Sequence, residues 1–508
     1  MGKIIEIDTS NIKQPEADNS IFKTRENFAE SSDTGSEVTI IIQAYNGLQK
    51  TKNCVESLLK YTNDVDYDLW LIDNGSTDGT YDYFKSVSYE KKNILRLSEN
   101  KGSPLPWAYL DMGMMSKYVC LVNNDLVLTK NWLKNMLTVM ESDNRIGLVN
   151  PMSSNASNYQ NPHLEFSDFE DMQEKAAIFN VSDPSKWQER IRILTLGTLF
   201  RKECLYAIGL PLFDVGFAHN FGDDDIAFRT RRAGYKVILA GDTWIHHDDE
   251  KMAGLSIERA TEIQKDLDVG RENFKEKYFG LDAWYDVGEF APEYVNALRR
   301  VEGETKVLGI DVLCGTALLD VKNGLRQLNV FNAECYAYTT DARYLIDLQT
   351  ICGRSNVLSG NITGFSENYK PSTFTHVVMG RDFNTYPDPF KTIEAAERLL
   401  VPDGQLFFGM YNTVNFVNFA NALGRTDARN PVHAINYTVE EVVERLQKKG
   451  FNIAFLGGRR FADSKYFVKE IVDTVHWAIE HLPVSDKQEA LYRLYSERYL
   501  FSITKKSM

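Results

Sequence analysis

The chain reads as an α/β protein made of two successive units of alternating strand and helix. Three observations predict this. Apolar runs of strand length alternate with amphipathic helical stretches from Val38 to about Asn150. The same alternation starts again near Thr305. The 508 residues also exceed the length, roughly 250 to 300, at which a single core stops growing. Strands alternating with helices imply a parallel sheet covered on both faces, where ligands bind beyond the carboxyl ends of the strands.

Taken in order, residues 1–36 are polar and read as a flexible N-terminal extension, within which IIEI at 4–7 could add an edge strand. VTIIIQAYN (38–46) is a fully buried strand, and LQKTKNCVESLLKYT (48–62), with apolar Val55, Leu58, Leu59 and Tyr61, is the helix after it. DLWLIDNGSTDGT (68–80) gives the next strand and its turn. Helix TYDYFKSV, strand NILRLSEN, helix PWAYLDMGMM (106–115) and strand YVCLVNND follow. A Ser/Asn-rich loop loosens the pattern after Asn150, which resumes at ILTLGTLFRKECLYAIG (193–209) and ends in GYKVILAGDTWIHH (234–247), a last strand. ERATEIQKDL and RENFKEKYF suggest connecting helices.

The second unit begins at TKVLGIDVLCGTALLD (305–320) and runs through AECYAYTTDARYL, FTHVVMGRDF, IEAAERLLVPDGQLFFGMYN and VEEVVERLQKKGFNIAFL. VDTVHWAIEHL and EALYRLYSERYLF carry helical periodicity. The expected organisation is an extension at 1–36, a first domain at 37–280, a helical linker at 281–304, a second domain at 305–465 and C-terminal helices at 466–508.

Composition excludes several classes. With 43% hydrophobic and 25% charged residues the chain is globular, and a net charge of −14 argues against nucleic acid as a partner, because phosphate affinity comes from clustered Lys and Arg. The six cysteines form no CxxC pair and lie mostly in apolar runs, which fits a reducing, cytoplasmic setting. No apolar run approaches the 18 or so residues of a membrane helix, so no integral membrane contact is expected. The amphipathic C-terminal helices could pair copies into a homo-oligomer.

Three acidic clusters carry the chemistry: LIDNGSTDGT at 71–80, LVNNDLVL at 121–128 and FGDDDIAFRTRRAG at 221–234. A carboxylate ending an apolar strand costs several kcal/mol to desolvate without a partner. A divalent cation and the hydroxyls of a nucleotide would supply partners.

Together with AYN (44–46), ENKGSPLPWAYLDMG, GTLFRKECLYAIGLPLFDVGF and IHH (245–247), these clusters run in an order that resembles the family 2 inverting glycosyltransferases of GT-A fold, over roughly 37–280. The resemblance implies a nucleotide-sugar donor and a divalent metal, manganese or magnesium, that neutralises its diphosphate. It places Asp125 on the metal, with Asn123 and Asn124 near the ribose or diphosphate. VNND departs from a full Asp-x-Asp, and the lower charge implies looser metal binding. Asp73 would accept from the uracil or thymine imide, and Ala44, Tyr45 and Asn46 would line the base and ribose. Inversion requires a base that deprotonates the acceptor hydroxyl; counting back from RTRRAG points to Asp223, with Asp224 one residue away, while at least one of the triplet caps its helix. His246 would complete the metal shell or contact the diphosphate. Trp107, Tyr109 and Trp244 are candidates for stacking or for the core.

Residues 305–460 resemble the class I S-adenosylmethionine methyltransferases, a second Rossmann-like α/β domain. Leu313 and Ala317 stand where that family's turn has glycines, leaving Gly315, so S-adenosylmethionine is not the expected cofactor although Asp341 could hold ribose hydroxyls. A degenerate domain that binds the acceptor or mediates assembly is the expectation. The functions implied are transfer of a sugar from a UDP- or dTDP-activated donor to a hydroxyl, as on Ser or Thr of flagellin or another surface protein; transfer to a surface polysaccharide or lipid-linked glycan; a bifunctional glycosyltransferase-methyltransferase; or an inactive glycan-binding scaffold.

Overall fold

The computed structural model describes residues 2–12, 35–110, 112–209, 212–217, 220–248, 257–418, 434–460 and 469–505. They fall into two units, Met1–Gly288 and Glu289–Met508, and the division lies inside the stretch read as a linker.

The first unit is built on β1 (Ile4–Ile7), β2 (Val38–Ala44), β3 (Tyr67–Asn74), β4 (Lys92–Leu97), β5 (Tyr118–Asn123), β6 (Leu126–Val127), β7 (Ile146–Ser153), β8 (Trp187–Glu189), β9 (Thr198–Arg201) and β10 (Lys236–His247). Their order in the sheet is β1-β4-β3-β2-β5-β9-β7-β10-β6, with β8 against β10. Ile40 and Ile42 of β2 enter the core on one face and Ile41 the core on the other, as the two-residue period of a strand requires. Helix Leu48–Tyr61 buries Cys54, Val55 and Leu58, which share one side of it.

The sheet is mixed, where the alternation predicted a parallel one. Strands β1 to β5 pair in parallel, but β9 is antiparallel to both β5 and β7. The reversal follows β7, where the Ser/Asn-rich stretch, helix Phe169–Phe179 and a short 3-10 turn return the chain so that β8 and β9 oppose β10 and β7. Alternation of apolar runs carries no information about strand direction.

Other local expectations also changed. Residues 106–115 form two 3-10 segments, Leu105–Tyr109 and Met112–Met114, in place of an α-helix; Pro106 lacks an N–H for an α-helical bond and Gly113 weakens any helix. The two connecting helices are one, Ile257–Lys277. Part of the N-terminal extension is ordered, since Ile4–Ile7 pairs with β4 at the sheet edge; residues 13–34 lie outside the described residues.

The second unit has β11 (Lys306–Ile310), β12 (Glu334–Thr339), β13 (Val357–Ser359), β14 (Phe374–Met379), β15 (Leu400–Tyr411), β16 (Asn452–Arg460) and β17 (Ser496–Thr504), in the order β13-β12-β11-β14-β15-β17-β16. β17 is antiparallel to both its neighbours. This corrects the reading of 489–501 as helical: helix Lys487–Tyr495 ends and the chain becomes a strand. Tyr499, Phe501 and Ile503 recur every second residue and pack into the core with Leu406, Phe408 and Met410. The slot between β15 and β16 therefore overrides the helical spacing. No described helix is long and apolar enough to cross a membrane.

Candidate functional site

At the carboxyl edge of the first sheet, β2, β3 and β5 end side by side, with Ala44 in register with Asp73 and Gln43 with Asn123. A cavity of about 370 Å³ opens there, lined by Ala44, Tyr45, Asn74, Asn123, Asn124 and Asp125 among others. Glycine shapes the approach: Gly75 has φ 81°, and a Cβ on it would lie 2.4 Å from Asn100 N. The Asn46 N–H donates to Ser76 Oγ (2.8 Å) and the Thr77 N–H to Asn46 Oδ1 (3.0 Å), which ties the first loop to the second.

Asp73 is fully buried. Its Oδ1 accepts from the Ser76 N–H at 3.0 Å, and Arg96 Nε stands 3.7 Å from its Oδ2 with the guanidinium over the Tyr81 ring. Burial raises its pKa against the pull of Ser76 and Arg96. Asn74 Nδ2 donates to Asn100 Oδ1 and Gly102 O, both at 3.1 Å, and Asn124 Nδ2 donates to Thr51 Oγ1 at 2.9 Å. Five buried side-chain oxygens at this edge accept no hydrogen bond from the protein: Gln43 Oε1, Asp73 Oδ2, Asn74 Oδ1, Asn123 Oδ1 and Asp125 Oδ1. An unsatisfied buried acceptor costs about 1 to 3 kcal/mol, so an occupant that brings N–H, O–H or positive charge is favoured over one that brings acceptors.

The imidazole beside Asp125 belongs to His247, whose Nε2 is 3.3 Å from Asp125 Oδ2. His246, the residue expected there, is turned away: its Nδ1 shares a hydrogen bond of 2.7 Å with Ser154 Oγ, and its ring lies edge-on to Phe166. Burial lowers its pKa. Consecutive strand residues face opposite ways, and the antiparallel pairing of β10 with β6 sets His247 opposite Leu126, next to Asp125. The tandem His246-His247 marked the position, and only the register chose between the two. Lys50, which the sequence did not single out, donates to Asp248 O at 2.7 Å, and the Asp248 N–H donates to Asp125 O at 2.9 Å. Among the described residues no cluster of three His, Cys, Asp or Glu is arranged to hold a metal.

The acidic triplet starts helix Gly222–Arg232, behind Phe221 in the left-handed region (φ 66°). Asp225 is structural: it receives Arg229 Nε (2.7 Å), Lys277 Nζ (2.5 Å) and Tyr278 OH (2.6 Å). Burial acts to raise its pKa, and Arg229 and Lys277 hold it below the usual value. Asp224 is buried with Arg192 Nε 2.8 Å from its Oδ1, and burial pushes its pKa up to about 6 in spite of that arginine. Asp223 accepts from Thr195 Oγ1, and burial raises its pKa as well. None of the three lines the cavity. They are joined to it through Phe213, which does line it and lies 3.4 Å from where a Cβ on Gly222 would be. Trp107 and Trp244 belong to the core, and Tyr109 packs against it.

The carboxyl edge of the second sheet is built differently. The turn after β11 holds Asp311 (φ 49°) and Leu313 (φ 52°) in the left-handed region beside Gly315 (φ 106°), a conformation that costs a non-glycine residue roughly 1 to 2 kcal/mol. Asp311 Oδ1 accepts from the Thr340 N–H (2.6 Å) and Thr340 Oγ1 (2.9 Å). Asp341 caps the turn at 342–344 and pairs through Oδ2 with Arg343 Nε (2.9 Å) and Nη2 (2.7 Å), the first cause of its lowered pKa. A cavity of about 510 Å³ is lined by Thr340, Asn361, Arg381 and Tyr386 among others, and by none of residues 311–317.

The first unit is an α/β sheet whose carboxyl edge leaves buried acceptors without a protein partner. The family model for glycosyl transferase family 2 matches residues 39–202, which include Asp73 and Asn123 to Asp125 but not the triplet. No curated protein matches the chain significantly. Among solved structures, GalNAc-T7 with UDP, GalNAc and Mn2+ is similar at 12% identity and a TM-score of 0.34, over 42% of this chain and 44% of that one. This chain thus spans less than half the length of that protein. The mannosyltransferase PcManGT from Pyrobaculum calidifontis, in complex with GDP-Man and Mn2+, is similar at 13% identity and a TM-score of 0.34, over 66% and 78%. A SAM dependent methyltransferase from Archaeoglobus fulgidus is similar at 15% identity and a TM-score of 0.29, over 46% and 98%. The first unit thus holds the stretch that matches the glycosyl transferase family 2 model, on a mixed α/β sheet, and the second unit is an α/β domain around a seven-stranded sheet.

Proposed function

We propose that the chain transfers a sugar from a nucleotide diphosphate donor to a hydroxyl acceptor with inversion. The observation that carries this is the set of unpartnered oxygens inside the matched region, four of them on residues that line one cavity (Gln43, Asn74, Asn123 and Asp125) and a fifth, Asp73 Oδ2, at the same strand edge. A nucleoside diphosphate with its metal offers what that set lacks: an imide N–H, ribose hydroxyls and a cation. A uracil or thymine base fits Asp73 and Arg96, since the carboxylate accepts from the imide N–H and the guanidinium can donate to a flanking carbonyl. Asn74, Asn123 and Asn124 then serve the ribose and diphosphate, with Ala44 to Asn46 as the wall.

Asp125 and His247 would hold the divalent metal, which supplies positive charge to the leaving diphosphate. Asp223 is the base. It takes the acceptor proton as the hydroxyl oxygen bonds to the anomeric carbon, and the bond to the diphosphate oxygen breaks with its electron pair leaving on the nucleotide. Asp224, one residue on, is the alternative base. The acceptor class carried over from the resemblance is a Ser or Thr hydroxyl of a surface protein such as flagellin, with a glycan acceptor as the alternative. The second unit is read as binding without methyl transfer.

The test is a thermal-shift screen of nucleotide-sugars with manganese, followed by release of nucleoside diphosphate from any donor that stabilises the chain. Slow metal-dependent release is expected. A chain that binds UDP and releases none from UDP-sugars is a scaffold.

A further inference from the structure

We propose that Thr195 and Arg192, on the loop between β8 and β9, are positioning residues that set the orientation of the proposed base, Asp223, by gripping two consecutive carboxylates of one helix start. The inference rests on the reading of Asp223 as base. Neither residue belongs to any of the three acidic clusters.

The geometry is specific. Thr195 Oγ1 donates to Asp223 Oδ1. Arg192 Nε stands 2.8 Å from Asp224 Oδ1 as an ion pair, without the alignment of a hydrogen bond. Successive residues of a helix project about 100° apart, so one loop holding both side chains fixes the rotation of the first turn as well as its position. The loop is itself held from the other side: the Leu194 N–H donates to Gln160 Oε1 at 2.6 Å, Gln160 Nε2 donates to Leu194 O at 3.2 Å, and the Leu196 N–H donates to Asn150 Oδ1 at 3.0 Å. Gly197 closes it with φ 65°, where a Cβ would meet Ile245 Cδ1 at 2.9 Å.

Two consequences follow for the chemistry. With Oδ1 occupied by Thr195, Oδ2 of Asp223 is the oxygen left to take a proton from an acceptor hydroxyl. Burial pushes the Asp223 carboxyl toward its neutral form, and the Thr195 bond opposes this. The charged groups facing Asp223 are Arg192 from the loop and Asp224 from its own helix. Asp225 is already neutralised by Arg229 and Lys277. Loss of the threonine hydroxyl therefore misaims the base and keeps it protonated to higher pH.

The experiment uses the full chain and its Thr195→Val and Thr195→Ser variants, with UDP release from UDP-sugars followed across pH 5 to 9 with manganese, and UDP affinity by calorimetry. Thr195→Val is expected to lower kcat at least tenfold and move the acid limb of the profile up by about one pH unit, with KM and UDP affinity unchanged; Thr195→Ser restores both. A Thr195→Val chain with the wild-type kcat and acid limb overturns the inference while leaving the base assignment intact. A wild type that releases no UDP overturns the base assignment, and the positioning role then stands or falls on melting temperatures of Thr195→Val, Asp223→Asn and the double variant. Coupled effects support it, and effects that simply add overturn it.

Discussion

The carboxyl edges of the two sheets differ in what their acidic residues touch. In the first unit Asp73 and Asp125 each keep a buried oxygen with no hydrogen bond from the protein, and the turn beside them uses a glycine, Gly75, where another backbone passes too close for a side chain. In the second unit Asp311 bonds through Oδ1 to Thr340 and keeps a buried Oδ2 with no hydrogen bond from the protein, as Asp73 does, but Asp341 is gripped by Arg343 and a leucine, Leu313, holds the left-handed position. An acidic residue at a strand end is thus weak information by itself. What separates the two edges is where the open acceptors gather: Gln43, Asn74, Asn123 and Asp125 line one cavity in the first unit, whereas the cavity of the second is lined by none of residues 311–317.

The sharpest way to break this contrast is Asp125→Ala. Turnover and manganese-linked UDP binding should vanish together, turnover by about a thousandfold or more, because the diphosphate loses several kcal/mol of charge stabilisation; calorimetry with and without manganese that shows unaltered UDP affinity would refute the metal assignment. Next, Asp223→Asn should leave UDP affinity nearly intact and reduce turnover by at least about a hundredfold. Unchanged turnover there, with loss in Asp224→Asn, moves the base by one residue.

On the other side of the contrast, titration of the chain with S-adenosylmethionine should give no micromolar binding. Binding that Asp341→Ala removes would show that the second edge is open after all. The smallest effect concerns Asp224. Its folded-state pKa is raised to about 6 from 3.8, so the stability it contributes is fully present below about pH 4 and lost as pH rises through 6. The melting temperature of the wild type minus that of Asp224→Asn should therefore fall between pH 4 and pH 7, and a constant difference in calorimetry would discount the burial argument.

The sequence made the edge clusters legible because chemistry limits the residue types: carboxylates and amides after buried strands, three acids opening a helix, a paired His-His. It did not reveal Arg192 or Thr195, whose partners lie 28 or more positions away in a region without periodicity. It did not show that Asp225 is spent on Lys277 and Tyr278, since those contacts come from the end of a helix and the turn after it, about 50 residues on.

By itself the sequence determined two α/β units, the positions of β2 to β5 and β10 and of the second unit's strands other than β13 and β17, and which loops bear acids, because burial and turn chemistry are local. Only the tertiary structure decided strand direction and register. It ran β9 against its neighbours, turned His247 and not His246 toward Asp125, and drew the last helical stretch into β17, because these depend on which surfaces meet once distant segments are brought together.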